Sequence, residues 1–454
     1  MIKNFISFCL IFTSLSVSTV FAQETELFGV PLSEYQVNPE NDLIRCASSE
    51  YEKHLQNNFE GYASEEEFEA WLAPKVAEMK QRLTNGEFKN ELIQIPVVVH
   101  VIHAGQPEGV GMNISTARVQ SQIDVLNQDF QKIEGTPGYN DHEFGASIGL
   151  NFCLAQVDPD GNPTNGINRV EITGTIWNEA NVENVLKPTT QWDPTKYFNI
   201  WVCQFGGDLN GVLGYAQFPS NSGLGGMPVN GGAANRDGVI IDWRAFGDRN
   251  AVPGTYFNTY DRGRTTTHEI GHSFGLRHIW GDTSSCIVNT NDSFNDYCPD
   301  TPAANSANYS CVVIDSCPAD PGNDMVENYM DYTNDACMNI YTLDQKARVL
   351  AVIENSPRRK ELPNSNVCDA LGVSDVENQE FTIYPNPAKD FLNVSVKNSQ
   401  LTSYTIYNTL GQQVKRENLS GTQFKINVNN LKKGTYILTV YSEKGSSTHK
   451  FIKD

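Results

Sequence analysis

The sequence predicts an α+β protein with two folded parts, a larger domain built on a mixed sheet and a small all-β sandwich that follows it. The apolar run IQIPVVVHVIH, which starts at Ile93, has the length of a buried strand, and a helical pattern follows it. After residue 380 cysteine is absent, and short alternating runs are separated by turn signals. A chain of 454 residues is also too long for one typical domain.

The N-terminal residues have the features of an export signal. Lys3 precedes an apolar run that ends in Val20-Phe21-Ala22, a small-residue cleavage pattern. A membrane anchor is the alternative, but Ser and Thr interrupt this run and no second apolar span follows. We therefore predict a signal peptide over residues 1–22 and a secreted protein without a transmembrane anchor.

Residues 23–92 are polar and are predicted to form a prosegment, with a first layer of the following domain as the alternative. Within them Ser64 and Glu67 form a capping box, which starts a helix with apolar residues at helical spacing. Pro74 is expected to kink this helix, and Asn85, followed by glycine, is expected to end it.

The larger domain is predicted over residues 93–368. Its first strand is followed by the amphipathic helix STARVQSQIDVLNQDFQKI, which would pack on the sheet. The runs LNFCLAQV, KYFNIWVCQF and DGVIIDW are further predicted strands, and a glycine-rich stretch, 205–238, separates the last two. The apolar positions of the helix are Val119, Ile123, Leu126 and Phe130.

The C-terminal part, residues 381–454, is predicted to be the all-β sandwich. Its runs FTIYP, FLNVSV, SYTIYN, FKINV and TYILTVY have short-strand length. In one of them Phe424, Ile426 and Val428 would share one face, with polar residues between them. Residues 369–380, which are acidic and lack apolar periodicity, are the predicted linker.

The charge of the chain excludes one class of partner. The formal net charge is −21, whereas nucleic-acid binding needs a basic surface that replaces phosphate counterions. Such acidity fits a soluble exported protein, attraction to basic peptides, or calcium binding. No nucleic-acid partner is therefore expected.

The cysteines predict disulfides, because these bonds persist outside the cytosol. Of ten cysteines, Cys9 would leave with the signal peptide, and the odd number that remains leaves at least one apart. Cys46 is the natural candidate, since it lies alone in the N-terminal region. The others lack the CxxC spacing of a structural zinc site and are predicted to form disulfides. They are Cys153, Cys203, Cys286, Cys298, Cys311, Cys317, Cys337 and Cys368.

The stretch TTTHEIGHSFGLRHIWGD has the residue types of a metal site. His268 and His272 stand at i and i+4, so on a helix their imidazoles share one face and can bind one cation. Glu269 is next to that face, where it can take a proton from a water molecule as a general base. The alternative is a capped amphipathic helix with exposed histidines.

The third histidine makes the pattern more specific. In a continuous helix His278 would lie about 15 Å along the axis from His268, too far for zinc bonds of about 2 Å. The chain must therefore leave the helix after His272, and Gly275 is the residue able to take a positive-φ turn there.

Three histidines leave the fourth tetrahedral position open to water, which is typical of a catalytic zinc rather than a structural one. The predicted reaction is peptide-bond hydrolysis, with Glu269 as the base that passes its proton to the leaving amine. Two alternatives stay open: an extracellular adhesion or binding protein with a structural zinc site, and a peptidase homologue without activity.

HEIGHSFGLRH resembles the zinc motif of the metzincin metallopeptidases, and ENYMDYTNDACMNIYT resembles their Met-turn, with Met330 beneath the metal. Together with DYCPDTP, these motifs are most similar to the pappalysin family, in particular its cytophagalysin branch, over about residues 93–368. The resemblance implies a metzincin-type domain. In it a mixed twisted sheet carries the active-site helix, and an irregular, disulfide-tied lower subdomain carries the Met-turn.

The same resemblance implies roles for two residues after the methionine. Tyr332 matches a tyrosine near the metal that can stabilise a tetrahedral intermediate, with a packed aromatic side chain as the alternative. Asp335 matches an acidic residue at the base of the pocket for the residue after the scissile bond, which implies cleavage before Arg or Lys. A turn aspartate with local hydrogen bonds is the alternative.

DYCPDTP resembles a calcium loop of the family. The implied ligands are the side-chain oxygens of Asp296 and Thr301 and the carbonyls of Asn295 and Pro299, and such hard oxygen donors suit calcium. Asp-Thr-Pro is also an ordinary turn sequence.

In LIRCASSE, Cys46 follows an arginine, which is similar to the cysteine-switch element of some family prosegments. Its thiolate could fill the open position of zinc and keep the zymogen inactive. A disulfide or an idle thiol is the alternative.

The C-terminal segments FTIYPNPAKDFLNV, YTIYNTLGQQV and GTYILTVYSEKG resemble the type A sorting domain of the type IX secretion system. This implies the type IX secretion machinery as a partner and an extracellular or cell-surface location. The alternative is a carbohydrate- or protein-binding sandwich on the mature protein.

Overall fold

The structure is a computed structural model. It describes residues 26–33, 36–59, 62–88, 92–219, 234–369, 381–397, 399–408, 412–442 and 445–454. The predicted signal peptide and nearly all of the predicted linker lie outside the described residues. Among the residues inside these ranges, no helix has the length and apolar character needed to cross a membrane.

The N-terminal segment, here the described part of residues 26–88, contains two short strands and two helices. The predicted helix is present, with the capping box of Ser64 and Glu67 at its start and Asn85 at its end. Pro74 lies inside the helix, which continues through it. The elements are β1 (Glu26–Leu27), β2 (Val30–Pro31), α1 (Ser48–Asn58) and α2 (Glu65–Thr84).

Among its described residues, the larger domain has six strands, and the run that starts at Ile93 lies inside the sheet, as expected of a buried strand. The order is β4-β3-β6-β8-β7, and β5 pairs with β3 beyond the end of β4. Of the six, β7 is antiparallel to its neighbour and lies at one edge. The strands are β3 (Ile93–His103), β4 (Leu150–Leu154), β5 (Ile167–Glu171), β6 (Phe198–Cys203), β7 (Gly214–Ala216) and β8 (Val239–Asp242).

Strand β7 falls in the glycine-rich stretch, where the sequence predicted no strand. Its three residues, GYA, carry no alternation and no β-branched side chain. Pairing with β8, in which Tyr215 lies opposite Ile240, places them in the sheet. Long-range hydrogen bonding therefore decides this element.

In the part of the larger domain that the structure describes, five helices and several single turns accompany the sheet. In α3 the predicted apolar face is buried in the core against the sheet, and α6, which carries the HExxH motif, is buried along its whole length. A capping box between Thr342 and Gln345 starts α7, which packs against α2. The helices are α3 (Thr116–Gln131), α4 (Glu179–Asn181), α5 (Lys187–Thr190), α6 (Arg264–Ser273) and α7 (Leu343–Asn355). A π-helical turn covers Val182–Leu186, and 3₁₀ turns cover Gly207–Leu209, Ala234–Arg236, Trp243–Ala245 and Leu362–Asn364.

Three disulfides form in the described chain, so the expectation that eight cysteines pair is wrong for two of them. Cys203 and Cys298 are free and buried, as is Cys46. Cys203 lies on β6 in an apolar cluster with Trp201, whereas Cys298 lies in the loop beside Asp296. The spacing of the cysteines in the sequence does not show which of them stay free. The disulfides are Cys153–Cys368, Cys286–Cys317 and Cys311–Cys337.

The C-terminal part is an antiparallel sandwich of two sheets, in the orders β13-β10-β9 and β12-β11-β14-β15. Ile426 and Val428 are buried and Phe424 is half-buried, so these three residues face the interior as predicted. The strands are β9 (Phe381–Tyr384), β10 (Phe391–Val396), β11 (Leu401–Asn408), β12 (Gln413–Gly421), β13 (Gln423–Asn427), β14 (Gly434–Ser442) and β15 (Gly445–Lys453).

Candidate metal centre

Helix α6 presents His268, Glu269 and His272 to one point in the core. The helix ends at Ser273, and Gly275 then takes a positive φ of +89°, which is the turn that the sequence predicted. A Cβ at this position would also meet Val352 at 2.8 Å, so both conformation and space favour glycine. The chain bends back here and brings His278 to the same point.

The three histidines converge through their Nε2 atoms. His272 Nε2 lies 3.1 Å from His268 Nε2 and 3.0 Å from His278 Nε2. A tetrahedral zinc with bonds of about 2.0–2.1 Å needs ligand atoms about 3.3 Å apart, so these spacings are close to those of a ligand set.

The opposite nitrogen of each ring faces a hydrogen-bond acceptor. His268 Nδ1 lies 2.7 Å from the carbonyl of Tyr329, and His272 Nδ1 lies 2.8 Å from the carbonyl of Leu276. His278 Nδ1 lies 2.9 Å from a carboxylate oxygen of Asp282. These acceptors hold the proton on Nδ1 and leave each Nε2 lone pair free for a metal.

Burial lowers the pKa of both His268 and His272 well below its usual range, so these rings are neutral. Neutral imidazole is the form that binds metals. With three convergent ring nitrogens and their acceptors, the residues present fit a zinc ion.

Cys46 of the N-terminal segment lies at the same point. Its Sγ and the three histidine nitrogens all lie within 4.8 Å of one another. The thiol donates to Glu269 Oε2 at 3.4 Å and accepts from the backbone N–H of Ser48 at 3.3 Å. A sulfur atom therefore lies next to the three nitrogens that could bind a metal.

Glu269 is fully buried next to Cys46 and Ser48 of the N-terminal segment. Ser48 Oγ donates to its Oε2 at 2.7 Å, while its Oε1 has no hydrogen-bond partner in the described structure. Burial raises the pKa of Glu269 to about 8, against the lowering effect of the hydrogen bonds from Ser48 and Cys46. A divalent cation on the histidines would lower it again.

Asp335 lies in a closed pocket with Arg45, the residue before Cys46. Arg45 Nη1 is 2.8 Å from Asp335 Oδ1, and both side chains are fully buried. The other carboxylate oxygen accepts the backbone N–H groups of Arg262 and Arg264, at 2.8 and 3.2 Å. The guanidinium also lies over the ring of Tyr260, with Cζ 4.7 Å from its centroid.

Met330 and Tyr332 flank the histidines from below and from one side. A Cβ on Gly271, between His268 and His272, would meet Met330 Sδ at 2.5 Å, so the methionine packs directly under the site. The ring of Tyr332 lies 4.9 Å from that of His278, and its hydroxyl is 3.5 Å from the carbonyl of Cys46.

The loop that resembles a calcium site is compact and largely buried. Asp296 Oδ1 accepts from the Thr301 hydroxyl at 2.7 Å and from the Cys298 N–H at 3.0 Å. Asn295 Oδ1 and an oxygen of Asp292 are buried without a hydrogen-bond partner in the described structure. Pro299, whose carbonyl is the fourth expected ligand, lies in the same turn.

Two residues of the site carried no role in the sequence interpretation. Asp282 accepts from His278, and its other oxygen also accepts from Ser49 at 2.7 Å. Its i+4 spacing from His278 was a usable signal. Ser48 contacts both Glu269 and the N–H of Ala216 on β7, at 2.8 Å for the latter, and such long-range contacts leave no mark in the sequence.

Two family profiles match the chain. Residues 181–354 match the profile described as pregnancy-associated plasma protein-A, which is that of the pappalysin peptidases. Residues 382–454 match the secretion system C-terminal sorting domain. The two matches fall on the larger domain and on the sandwich, respectively.

The chain is similar to several metalloproteases over most of their length. Extracellular metalloprotease 1 of Coccidioides posadasii is 31% identical over 287 residues, which is 62% of this chain and 83% of that protein. An extracellular metalloprotease of Pyricularia oryzae is 28% identical over 72% of this chain and 94% of its own. A solved structure of a Tannerella forsythia promirolysin mutant is similar, with a TM-score of 0.52, 31% identity and coverage of 70% of this chain and 97% of that one.

The histidine cluster, these relatives and the sorting domain agree on one assignment. The chain belongs to the pappalysin family of extracellular metalloproteases and is a secreted enzyme with a type IX secretion sorting domain at its C-terminus.

Proposed function

We propose that this metalloprotease is a zinc endopeptidase made as a zymogen, which cleaves peptide bonds before Arg or Lys. One observation carries the proposal. Cys46 lies beside the three histidines while the preceding residue, Arg45, pairs with Asp335. The N-terminal segment therefore fills a metal position and a charged pocket at once.

His268, His272 and His278 would hold the zinc ion. When bound there, zinc supplies a lowered pKa for water and polarisation of the scissile carbonyl. Glu269 would take the proton from the attacking water and pass it to the leaving amine. Its unpaired Oε1 is in keeping with such a role, because a buried carboxylate oxygen needs a donor.

Tyr332 would donate its hydroxyl to the oxyanion of the tetrahedral intermediate. In the precursor this hydroxyl faces the carbonyl of Cys46, a backbone oxygen from the stretch that covers the site. Met330 and Gly275 would have structural roles, since one packs under the histidines and the other turns the chain.

The charged pocket supports the proposed specificity. Asp335 is held by two backbone N–H groups on one oxygen and presents the other to a guanidinium, an arrangement that suits a basic side chain. Arg45 occupies it in the precursor, and the residue after the scissile bond would replace Arg45 in the mature enzyme.

Latency would follow from the same contacts. We propose that residues 23–92 are the prosegment, that Cys46 is the zymogen switch, and that 93–368 is the catalytic domain. The sandwich over 381–454, after the linker at 369–380, would carry the protein to the type IX machinery and then leave.

We also propose a structural calcium ion in the loop at Asn295, Asp296, Pro299 and Thr301. The buried Asn295 Oδ1 and Asp292 oxygen without hydrogen-bond partners support a cation there, since hard oxygen donors suit calcium. Asp292 would be an additional neighbour of that ion.

The test uses the mature enzyme, peptides with one internal Arg, and matched peptides with Gln in its place. Wild type should cleave the Arg peptides. Glu269→Ala should lower kcat/KM by about 10²–10⁴-fold because it removes the general base. Asp335→Asn should lower the Arg-over-Gln preference about 10- to 100-fold, because it removes a hydrogen-bonded charge.

Glu171→Ala, at the far edge of the sheet, and Asp261→Asn, which pairs with Arg249 outside the pocket, are the matched controls and should keep wild-type kinetics. The proposed mechanism is wrong if wild type cleaves no peptide or if Glu269→Ala is equally active. That result would favour the adhesion or binding protein with a structural or inactive zinc site. An unchanged Arg preference in Asp335→Asn would refute the specificity alone.

A further inference from the structure

Two arginines of the larger domain bind carboxylates of the N-terminal segment next to the metal centre. Arg277, the residue before His278, contacts Glu52 of α1 through Nη1 and Glu69 of α2 through Nε, at 2.5 and 3.3 Å. Arg348 of α7 contacts Glu69 through Nη1 at 2.7 Å. All four side chains are at most 8% exposed, so one buried carboxylate is shared by two guanidinium groups.

The partners of Arg277 depend on the N-terminal segment. Within the described residues, the carboxylates within 4 Å of its guanidinium belong to Glu52, Glu65 and Glu69. Arg348 has a further contact inside the larger domain, since its Nε donates to the carbonyl of Gly275 at 2.6 Å. When the segment leaves, Arg277 loses its carboxylate partners, whereas Arg348 stays anchored beside it.

The direction of the N-terminal segment locates these arginines relative to the pocket of Asp335. Its backbone follows β7: Ile44 N–H donates to Gly211, Ala47 N–H to Gly214, and Ser48 Oγ accepts from Ala216 N–H. The segment thus passes the Asp335 pocket at Arg45 and the histidines at Cys46. It reaches Arg277 only at Glu52, beyond the histidines.

Short ring contacts keep Arg277 near the metal centre. Its Cζ lies 4.6 Å above the ring of Phe218, which follows β7, and that ring is 5.1 Å from the ring of His272. A peptide that places one side chain against Asp335 and extends across the histidines would therefore reach Arg277 with a residue on the other side of its cleaved bond.

We propose that Arg277, with Arg348 beside it, forms a subsite in the mature enzyme for an Asp or Glu side chain on the N-terminal side of the scissile bond. The inference rests on the proposed function, because the assignment of the Asp335 pocket to the residue after the scissile bond places Arg277 on the N-terminal side of that bond. Two neighbouring guanidinium groups repel each other, and a carboxylate between them removes this cost, as Glu69 does in the precursor.

The test compares mature wild type on peptides that share an internal Arg and carry Glu or Gln at each of the positions before the cleaved bond in turn. At one position, Glu should exceed Gln in kcat/KM by about five- to tenfold. The Glu preference should weaken as salt rises from about 0.05 M to about 0.5 M, because screening acts on a partly exposed pair. The difference should appear mainly in KM.

Arg277→Gln should abolish the Glu preference, so that this variant cleaves the Glu and Gln peptides equally well, and Arg277→Lys should keep part of the preference. Arg169→Gln, on β5 at the opposite edge of the sheet, is the matched control and should behave as wild type. Equal cleavage of Glu and Gln peptides by wild type at every position would overturn the subsite while leaving the proposed function intact. A preference that persists in Arg277→Gln, or that does not change with salt, would also overturn it.

Discussion

The N-terminal segment meets the larger domain in two regions that use different chemistry. The blocking stretch, residues 45–48 and so called for its proposed role, places Cys46 beside the three histidines and pairs Arg45 with Asp335. The acidic contact, Glu52 and Glu69 with Arg277 and Arg348, lies beyond the histidines and touches none of the residues proposed for catalysis. In the proposed zymogen, inhibition and attachment would therefore be separate tasks of this segment.

The difference also lies in how each region is built. The blocking stretch contacts Asp335 and Glu269 through a guanidinium, a thiol and a hydroxyl. The acidic contact is supported by helix packing, because Phe68, Leu72 and Met79 of α2 bury their side chains against α7. Burying each aliphatic or aromatic side chain stabilises the contact by about 1.5–3 kcal/mol. Most of the attachment should therefore come from α2 rather than from the residues that block the site.

The largest expected effect comes from breaking the acidic contact. Glu69→Gln leaves two buried guanidinium groups that shared its charge, and removal of one partner of a buried ion pair costs about 3–5 kcal/mol. Denaturant unfolding of the precursor, with Glu269→Ala present to prevent self-cleavage, measures the change.

Glu78→Gln is the matched control for this loss, since it lies on the exposed face of the same helix and should change the unfolding free energy by less than about 0.5 kcal/mol. Equal stability of the two variants would mean that Glu69 does not fasten the segment.

A smaller effect is expected from breaking the blocking stretch alone. Cys46→Ala removes the thiol beside the histidines but leaves α2 packed on α7. If the thiol holds the segment by about 1.4 kcal/mol, the precursor should activate itself about tenfold faster. The rate of appearance of cleaved protein and of peptidase activity measures this.

Cys203→Ala is the appropriate comparison, because that thiol is also free and buried but lies in an apolar cluster away from the histidines. Its activation rate should match that of wild type. Identical activation of Cys46→Ala and Cys203→Ala would argue against the switch.

The smallest effect concerns the loop beneath the acidic contact. Gln345 of α7 reaches Asp296 at 3.5 Å, so a cation in this loop would brace the helix that carries Arg348. Chelation of the mature enzyme, followed by return of zinc alone, should lower Tm by about 2–4 °C relative to return of zinc with calcium, as expected for about 1 kcal/mol. A Tm that is insensitive to calcium would remove the proposed site, and Asp296→Asn should abolish any calcium-dependent shift.

Elements that depend on local sequence were predicted well. The capping box at Ser64 and Glu67, the buried face of α3 and the turn at Gly275 all follow from side chains within one or two turns of chain. The convergence of the three histidines was also predictable, because helix geometry excludes any straight path from His268 to His278.

Other features arose from contacts that have no local pattern. Strand β7 exists because β8 pairs with it, and Cys203 is a free thiol buried in the core. Ser48 likewise contacts both Glu269 and Ala216, which are distant from it in the sequence.

By itself, therefore, the sequence determined which residues supply the chemistry: three imidazoles at spacings that suit one metal, and a carboxylate next to the first of them. It also determined the sandwich of alternating strands. Only the tertiary structure decided which residues of the N-terminal segment lie against that site. Arg45 meets Asp335 across 290 residues and Glu52 meets Arg277 across 225, and neither pairing leaves a periodic signal. The physical reason is that helical and strand periodicities reflect neighbouring backbone geometry, whereas charge pairing across the fold depends on where the packed core brings distant surfaces together.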